Sequence, residues 1–376
     1  MPRRSGVPVA IDDRRYRAGL FPVPRSLFPG TGDCHGRKRP RNDMKGCSLF
    51  PDSCSLMPEK GVFMEPFPIP VVCDCDPGHD DAIMLLLAKA SPRLRVLAVT
   101  TSCGNQTIEK TTWNARRICT LLGLEAPIAM GAAKPLCGQP ITAPNIHGQS
   151  GLDGPRLPEP RLPLSALTAV ELTAKVISER SEPVTIISTG PLTNTACLLL
   201  AHPELKPRIR QISLMGGGLA HGNWTPAAEF NILVDPEAAD IVFRSGVPIL
   251  MSGLDVTLKA LITEADIARI RAIGGEISRV TAEWLDYFYV FHKGIGYAGA
   301  PLHDPCAAAV LIRPELFDIR PMHVEIETGG EFCRGATVGA LPGVEDEYAP
   351  NVRCVMGLDR EGFVDLLCEA VASYGY

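Results

Sequence analysis

Short apolar runs alternate with longer amphipathic stretches from residue 68 onward. The first run, 69–73, meets a turn at Pro77-Gly78, and a helical pattern follows over 80–90. Runs of this length between helical stretches are typical of buried strands in a parallel sheet. Further strands are predicted at 95–101, 184–188, 211–215 and 247–251, with helices near 107–122, 165–180, 191–201, 235–244 and 263–273.

The alternation also predicts the fold class. Strands separated by helices of this length imply right-handed crossovers, so we expect an α/β protein with a doubly wound, mostly parallel sheet flanked by helices. Such sheets bind ligands at the carboxyl ends of their strands. We therefore predict one domain over 67–376, with its chemistry where the strands end.

The first 66 residues differ from the rest in composition. Residues 1–45 hold eleven Lys or Arg and four Asp, a charge of about +7 in a chain of net charge −5. The segment is rich in Pro and Gly and has no apolar periodicity, which predicts a disordered basic extension. It lacks the apolar run of a secretory signal. A later translation start at Met44, Met57 or Met64, and an organelle-targeting or anion-binding arm, are the alternatives.

Composition excludes several classes of protein. The chain is 45% hydrophobic and 21% charged, as soluble globular proteins are. Without a run of 18 apolar residues, no membrane-spanning helix is expected, and the negative net charge argues against a general nucleic-acid binder. The thirteen cysteines form no CxxC pair. We expect reduced core thiols in a cytoplasmic protein, and no zinc ribbon or disulfide framework.

Four carboxylates occur within eight residues, where the first strand meets the first helix. Asp74 and Asp76 alternate at the strand end, and Asp80 and Asp81 open the helix. Packed together, four anions repel one another unless a cation lies among them. Helix capping accounts for one or two of these acids. A ligand set made only of oxygen favours Ca²⁺ or Mg²⁺ over Zn²⁺.

A second candidate group is the pair His303-Asp304, in a loop bounded by glycine and proline. Asp304 alone fits the N-cap of a helix that begins with Pro305. His303 can give or accept a proton near neutral pH, which suits acid–base work beside a metal site.

Glycine-rich turns follow the other predicted strands at 104–107, 189–194 and 215–218. Uncharged amides and one carboxylate accompany them or lie downstream: Asn105, Asn223, Glu229 and Asn231. These groups suit a polyhydroxylated ligand such as a ribose better than a phosphate. No Walker A or dinucleotide-binding glycine signature follows a strand, so phosphate binding has no support.

Six motifs, in order, resemble those of the nucleoside hydrolase family. They are Asp74-Cys75-Asp76-Pro77-Gly78-His79-Asp80-Asp81, Gly104-Asn105-Gln106-Thr107, His147-Gly148-Gln149-Ser150-Gly151-Leu152-Asp153-Gly154, Met215-Gly216-Gly217-Gly218, Glu229-Phe230-Asn231 and His303-Asp304-Pro305. The resemblance extends over about 67–374. It implies a Rossmann-like open fold, a homodimer or homotetramer, and Ca²⁺-dependent hydrolysis of the N-glycosidic bond of ribonucleosides to ribose and free base, in nucleoside salvage.

The resemblance also implies roles for single residues at the matching positions. Ca²⁺ is bound by the carboxylates of Asp76, Asp81 and Asp304 and by the backbone carbonyl of Thr189. The ribose hydroxyls are held by Asp80, Asn105, Asn223, Glu229 and Asn231. Asp76 is placed to act as general base on a metal-bound water. His303 is the candidate acid toward the departing base and His147 lies near the base pocket, although either can instead only position the base.

Substrate preference follows from the resemblance alone. His79 and the residues 299–302 resemble the bacterial branch that acts on uridine and cytidine, and a broad or purine-accepting enzyme is the alternative. Trp284, Phe288 and Phe291 recur at helical spacing. This stripe predicts either a core contact or a lid over the base.

Two other classes of function compete with this interpretation. Phosphatases of the haloacid dehalogenase type use an Asp-x-Asp element that Asp74 and Asp76 match, but Gly78 stands where their pattern has Thr or Val, and they lack the paired acids that follow here. A non-catalytic, Ca²⁺-dependent nucleoside-binding protein is the second alternative. The intact acids disfavour it, because loss of turnover usually accompanies loss of at least one ligand.

Overall fold

The computed structural model describes residues 68–340 and 348–375. The predicted extension, 1–66, and the alternatives weighed for it lie outside these residues. The strands are β1 Ile69–Cys75, β2 Leu94–Thr101, β3 Ile128–Met130, β4 Val184–Ser188, β5 Ile209–Met215, β6 Ile249–Ser252, β7 Leu261–Ile262, β8 Ala300–Pro301, β9 Phe317–Met322, β10 Val324–Ile326, β11 Thr337–Gly339 and β12 Val352–Leu358.

Twelve α-helices connect these strands within the described residues. They are α1 His79–Ala90, α2 Ile108–Leu122, α3 Pro144–His147, α4 Ala169–Ser178, α5 Thr193–Ala201, α6 Phe230–Val234, α7 Pro236–Phe243, α8 Leu254–Thr257, α9 Glu264–Ile273, α10 Gly275–Gly294, α11 Pro305–Ile312 and α12 Arg360–Ala372. Among the described residues, no helix contains an apolar stretch of the length that a membrane span requires.

The main sheet has eight strands in the order β3-β2-β1-β4-β5-β6-β12-β9. Every pairing is parallel except that of β12 with β9, which is antiparallel at the edge. The chain winds outward from β1 in both directions, so the strand order reverses between β1 and β4. The predicted Rossmann-like, mostly parallel sheet is confirmed, and its reversal point is where such sheets bind ligands.

Apolar side chains fill both faces of this sheet. Along β1, Val71 and Cys73 pack against α1 and its neighbours, while Val72 packs in the second core, toward α4, α5 and α7. The strands read as continuous apolar runs because both faces are covered. Helix α1 is buried along nearly its whole length, which holds the acids at its N-terminus rigidly beside the strand ends.

The C-terminal part of the sheet was not predicted from the sequence. Strand β9 carries Asp318, Arg320 and Pro321, a polar pattern that does not resemble a buried strand. Its position explains the composition, because an edge strand tolerates charges and a proline. Strand β12 fills the gap between β6 and β9, and α12 packs on the core beside α1.

Candidate active site

Asp74 does not join the other acids of its motif. It lies within β1, where its Oδ1 accepts hydrogen bonds from the Thr100 hydroxyl at 2.7 Å and the Asn194 side-chain amide at 2.8 Å. Its backbone carbonyl accepts the Thr189 N–H at 2.9 Å. Burial raises the pKa of this carboxyl. Asp74 thus ties β1 to β2 and α5, and the expected cluster of four acids is reduced to three at this junction.

Asp76 follows β1 directly and is fully buried. Its Oδ2 accepts the backbone N–H of Asn105 at 2.6 Å, whereas its Oδ1 has no hydrogen-bond partner. Two glycines allow the close approach. A Cβ at Gly104 would collide with Oδ2, and one at Gly190 would lie 2.8 Å from Oδ1. The backbone thus encloses this carboxylate on two sides and leaves one of its oxygens free.

Asp81 is the acid that caps helix α1. Its Oδ2 accepts the Gly78 N–H at 2.9 Å and the Asn105 side-chain amide at 3.1 Å, and its Oδ1 accepts the Thr189 hydroxyl at 2.8 Å. Capping therefore accounts for one acid of the helix start. Asp80, its neighbour, is buried with an Oδ1 that has no partner.

Three buried acids meet at one point of the site. One carboxylate oxygen each from Asp80, Asp81 and Asp304 lies within 4.8 Å of the other two. Burial raises the pKa of all three. Burial and the charge of Asp81 together raise the pKa of Asp80 to about 7, and the charges of Asp80 and Asp81 add to the rise for Asp304. Within the described residues, no Lys or Arg forms an ion pair with them. Concentrated negative charge with orphaned carboxylate oxygens fits a hard divalent cation.

The predicted metal ligands and this cluster of three acids overlap only in part. Asp81 and Asp304 belong to it, and Asp80, predicted for the ribose, is its third member. Asp76 lies close enough for its charge to raise the pKa of Asp304, and its free Oδ1 is available. The Thr189 carbonyl accepts the Asn231 side-chain amide at 2.8 Å. One of its lone pairs remains for another partner.

A cavity of about 390 Å³ opens over this cluster. Asp76 and Asp81 are buried and do not line it. Nine of the predicted site residues do line it, namely Asp80, Asn105, His147, Thr189, Asn223, Glu229, Asn231, His303 and Asp304. A cavity of this size accommodates a small ligand among polar groups from several strand ends.

Backbone N–H groups, most of them at the start of α6, hold the side chains of Glu229 and Asn223. Glu229 is the N-cap, and its carboxylate accepts the N–H groups of Asn231 at 2.9 Å, Ile232 at 3.1 Å and Gly217 at 2.9 Å. Even so, burial raises the pKa of Glu229. Asn223 is exposed and accepts the Phe230 N–H at 3.0 Å. The Glu229 carboxylate is thus rigidly positioned, whereas the Asn223 side chain lies at the surface.

Two predicted histidines line the cavity and a third supports one of them. His303 Nδ1 lies 2.8 Å from the Thr257 hydroxyl, and burial lowers its pKa to about 3. His147 is also buried, with its pKa well below the usual value. His79 lies behind it, 3.2 Å between their Nδ1 atoms, and its Nε2 donates to the Asp153 carbonyl at 2.7 Å. The rings at the cavity are therefore neutral near pH 7.

The aromatic stripe of α10 serves two purposes. Trp284 is completely buried in the core, whereas Phe288 and Phe291 line the cavity. Whether the stripe moves as a lid stays a prediction. The sequence reasoning missed other lining residues, among them Trp224, His292 and Tyr297. Of these, His292 follows Phe288 by four residues, so helical spacing is the signal that could have revealed it.

Known proteins share this architecture. A family model described as inosine-uridine preferring nucleoside hydrolase matches residues 71–365. The pyrimidine-specific ribonucleoside hydrolase RihA of Salmonella typhimurium is 55% identical over 314 residues, spanning 81% of this chain and 99% of that protein. A solved structure of the purine-preferring ribonucleoside hydrolase from Gardnerella vaginalis is 30% identical with a TM-score of 0.76, covering 81% and 98% of the two chains. The plant nucleoside hydrolase PpNRh1 is 29% identical with a TM-score of 0.75, covering 81% and 99%.

Proposed function

The chain belongs to the inosine-uridine preferring nucleoside hydrolase family, and on that premise we propose that its cavity hydrolyses the pyrimidine ribonucleosides uridine and cytidine with Ca²⁺ bound in the acidic cluster. It is an enzyme that hydrolyses the N-glycosidic bond of nucleosides. The base preference, the identity of the ion and the roles of single residues are the proposed parts.

The preference for pyrimidines rests on the degree of similarity. A relative named as pyrimidine-specific is 55% identical, whereas a solved structure named as purine-preferring is 30% identical. Substrate preference depends on a few pocket side chains, and these are shared more often between more similar chains. The His79 position and the residues 299–302 support the same branch.

The single observation that carries the metal proposal is the set of orphaned carboxylate oxygens. Asp76 Oδ1 and Asp80 Oδ1 are buried without a partner, beside Asp81 and Asp304. We propose that Asp76, Asp81 and Asp304 hold the ion through carboxylates and Thr189 through its carbonyl. Oxygen ligands of this kind suit Ca²⁺. When bound, the ion lowers the pKa of a water ligand and orients it.

Asp76 is the proposed general base. Its Oδ2 is anchored by the Asn105 N–H and keeps a second lone pair for the ion, so the free Oδ1 keeps a fixed direction from which it can accept a proton from the attacking water. Departure of the base leaves positive charge on the ribose, as in glycoside hydrolysis. The negative carboxylates of Asp80 and Glu229 stabilise that positive charge. The ribose hydroxyls donate hydrogen bonds to these two carboxylates, and further hydrogen bonds with Asn105, Asn223 and Asn231 complete the proposed sugar site.

The leaving base is proposed to meet His303 and His147. Both rings are neutral near pH 7, and a neutral imidazole can donate one N–H to an accepting atom of the base. The Thr257 hydroxyl beside His303 Nδ1 fixes the orientation of that ring. Both histidines thus favour departure by hydrogen bonding.

Two properties of the whole protein are also proposed. The family resemblance suggests a homodimer or homotetramer, which sedimentation velocity measures. The ten described cysteines carry free thiols. This agrees with a reducing compartment, and we propose the cytoplasm.

Release of uracil and ribose from uridine, with and without a Ca²⁺ chelator, tests the proposal. We expect release that the chelator abolishes and added Ca²⁺ restores. Phosphate release from p-nitrophenyl phosphate is expected to be absent, and its presence would favour the phosphatase alternative. Ca²⁺-dependent binding of uridine without release would favour the nucleoside-binding protein.

A further inference from the structure

The loop that begins at the end of α3 carries a sequence motif that the proposed mechanism uses at one residue only. The motif covers 147–154, and of its residues His147 alone lines the cavity. The rest of the loop folds back on itself, because the Asp153 carboxylate accepts the N–H groups of Gln149 at 2.9 Å and Ser150 at 3.1 Å. The loop is therefore compact, and its placement decides where the histidine ring lies.

The ring of His147 packs directly on the turn at 76–78, which links β1 to α1. A Cβ at Gly78 would lie 2.5 Å from Nδ1 of His147. The backbone N–H of His79 donates to the same nitrogen at 3.3 Å. Only a glycine permits so close an approach of a ring to the backbone. The separation of the turn from the loop therefore sets the position of the ring in the cavity.

One buried side chain, that of Asn114, spans this separation. It lies in the interior of α2 and is 1% exposed. Its Nδ2 donates to the Pro77 carbonyl at 3.2 Å and to the Ser150 carbonyl at 2.9 Å. A side-chain amide has two N–H donors, so each carbonyl takes one. The turn that carries Asp76 and the loop that carries His147 are thus joined through a single amide nitrogen.

A second amide and a glycine fit the loop closely to the same place. Gln106 Nε2 donates to the Gly148 carbonyl at 3.1 Å. Gly151 has a φ of +82°, and a Cβ there would lie 2.8 Å from Gln106 Cγ and 3.2 Å from Asn114 Nδ2. The motif therefore needs a glycine at this position for its backbone conformation and for its contact with both amides.

We infer that Asn114 is a positioning residue, which fixes the ring of His147 over the turn of Asp76 and acts on hydrolysis through that ring. The inference rests on the proposed function and deepens it, since His147 is proposed to meet the leaving base. Asn114 is not among the residues that line the cavity, so its effect on the substrate is indirect. A misplacement of about 1 Å in a reacting group can cost about a hundredfold in rate.

A double-mutant cycle of Asn114→Asp and His147→Asn tests this role, with kcat/KM for uridine measured on the full chain at saturating Ca²⁺. Asn114→Asp keeps the shape of the side chain and places an acceptor where both carbonyls need a donor. We expect it to lower kcat/KM by roughly tenfold to a hundredfold. In the His147→Asn background the loss should be less than about threefold, because the group that Asn114 positions is gone. His147→Asn alone should lower kcat/KM at least as much as Asn114→Asp does.

Two further variants separate positioning from stability. Asn351 donates its side-chain amide to the Val324 carbonyl at 2.9 Å and is not among the cavity residues. Asn351→Asp therefore breaks a bond of the same kind elsewhere, and we expect a lower unfolding temperature with unchanged kcat/KM. Asn114→Ser is uncharged and keeps one donor, so its kcat/KM is expected to lie between those of the wild type and Asn114→Asp. It completes the same cycle if Asn114→Asp fails to fold.

Equal fold-losses from the Asn114 variant in the two backgrounds would assign it a structural role and overturn the inference, with the proposed function intact. So would wild-type kcat/KM in the folded variant, or a His147→Asn enzyme that loses no activity. Failure of the Ca²⁺-loaded wild type to hydrolyse any ribonucleoside would overturn the proposed function, and this inference with it.

Discussion

Asn105 donates its backbone N–H to Oδ2 of Asp76 at 2.6 Å, and Oδ1 of the same buried carboxylate has no partner. One oxygen is thus fixed and the other free. This asymmetry suits a base that must accept a proton from one direction, and it leads to the first prediction.

Asp76→Asn is expected to lower kcat for uridine by about a hundredfold to ten-thousandfold, because an amide cannot accept the proton of the attacking water. Steady-state kinetics at saturating Ca²⁺ measure the loss, and calorimetric titration with Ca²⁺ checks that the ion still binds. Glu179→Gln, at an exposed position, is the matched control. A variant that binds Ca²⁺ and retains near wild-type kcat would remove Asp76 from the role of base.

Gly104→Ala is expected to reduce both stability and activity. Its Cβ would collide with Asp76 Oδ2, so either the carboxylate or the backbone must shift. Overpacking of this kind costs about 1–3 kcal/mol of unfolding free energy. Chemical denaturation measures it, with Gly294→Ala as control because a Cβ there meets nothing within 4 Å. Equal stability of the two variants would show that the enclosure of Asp76 is looser than described.

Asp304→Asn is expected to have opposite effects on stability with and without Ca²⁺. In chelator, the variant relieves the repulsion among Asp80, Asp81 and Asp304 and should unfold at a higher temperature than the wild type. In Ca²⁺ it should unfold at a lower temperature, because a weakened ligand set loses the stabilisation that the bound ion gives. Thermal unfolding in both buffers measures the crossover. The same order of unfolding temperatures in both would argue against a cation at this cluster.

Asp74→Asn separates the structural acid from the cluster. It changes a carboxylate that accepts from Thr100 and Asn194 into an amide that faces donors with its own N–H groups. We expect a loss of about 1–3 kcal/mol in unfolding free energy. The Ca²⁺ affinity of the folded variant should stay within about threefold of the wild-type value, a free-energy change below about 1 kcal/mol. A large loss of Ca²⁺ affinity would instead assign Asp74 to the metal site.

The pH dependence of stability reports on His147. Burial lowers the pKa of His147 in the folded state, so below about pH 6.5 the unfolded chain binds more protons than the folded one. The free energy of unfolding therefore decreases as the pH is lowered. At saturating Ca²⁺, the stability of wild type minus that of His147→Asn should therefore decrease on acidification, by at most about 1.4 kcal/mol per pH unit. His221→Asn, at an exposed histidine, is the matched control. A difference independent of pH would contradict a buried neutral ring.

The sequence predicted the central strands well because they are buried on both faces and form continuous apolar runs, as Val184–Ser188 does. The same alternation of strands and helices placed the motifs at the strand ends. It could not reveal edge strand β9, whose Asp318 and Arg320 look like loop residues. Nor could it separate Asp74 from Asp76. That distinction depends on the pairing of Asp74 with Thr100 and Ser188, inside the strand, while Asp76 lies one residue past its end.

The aromatic residues of α10 were predicted as a stripe but not as a pocket. Spacing alone joins Trp284, Phe288 and Phe291, yet the first is in the core and the other two face the cavity. The hydrogen bond from His292 to the Phe288 carbonyl fixes which ring nitrogen accepts, and no sequence pattern records a tautomer.

The most direct test of the account compares kcat/KM for uridine, cytidine, inosine and adenosine, with Ca²⁺ and with a strong chelator. We predict hydrolysis that the chelator abolishes and that is fastest with uridine or cytidine. Faster turnover of inosine or adenosine would contradict the pyrimidine preference. Undiminished hydrolysis in chelator, by protein shown to be free of metal, would contradict the metal-binding role assigned to Asp76, Asp81 and Asp304.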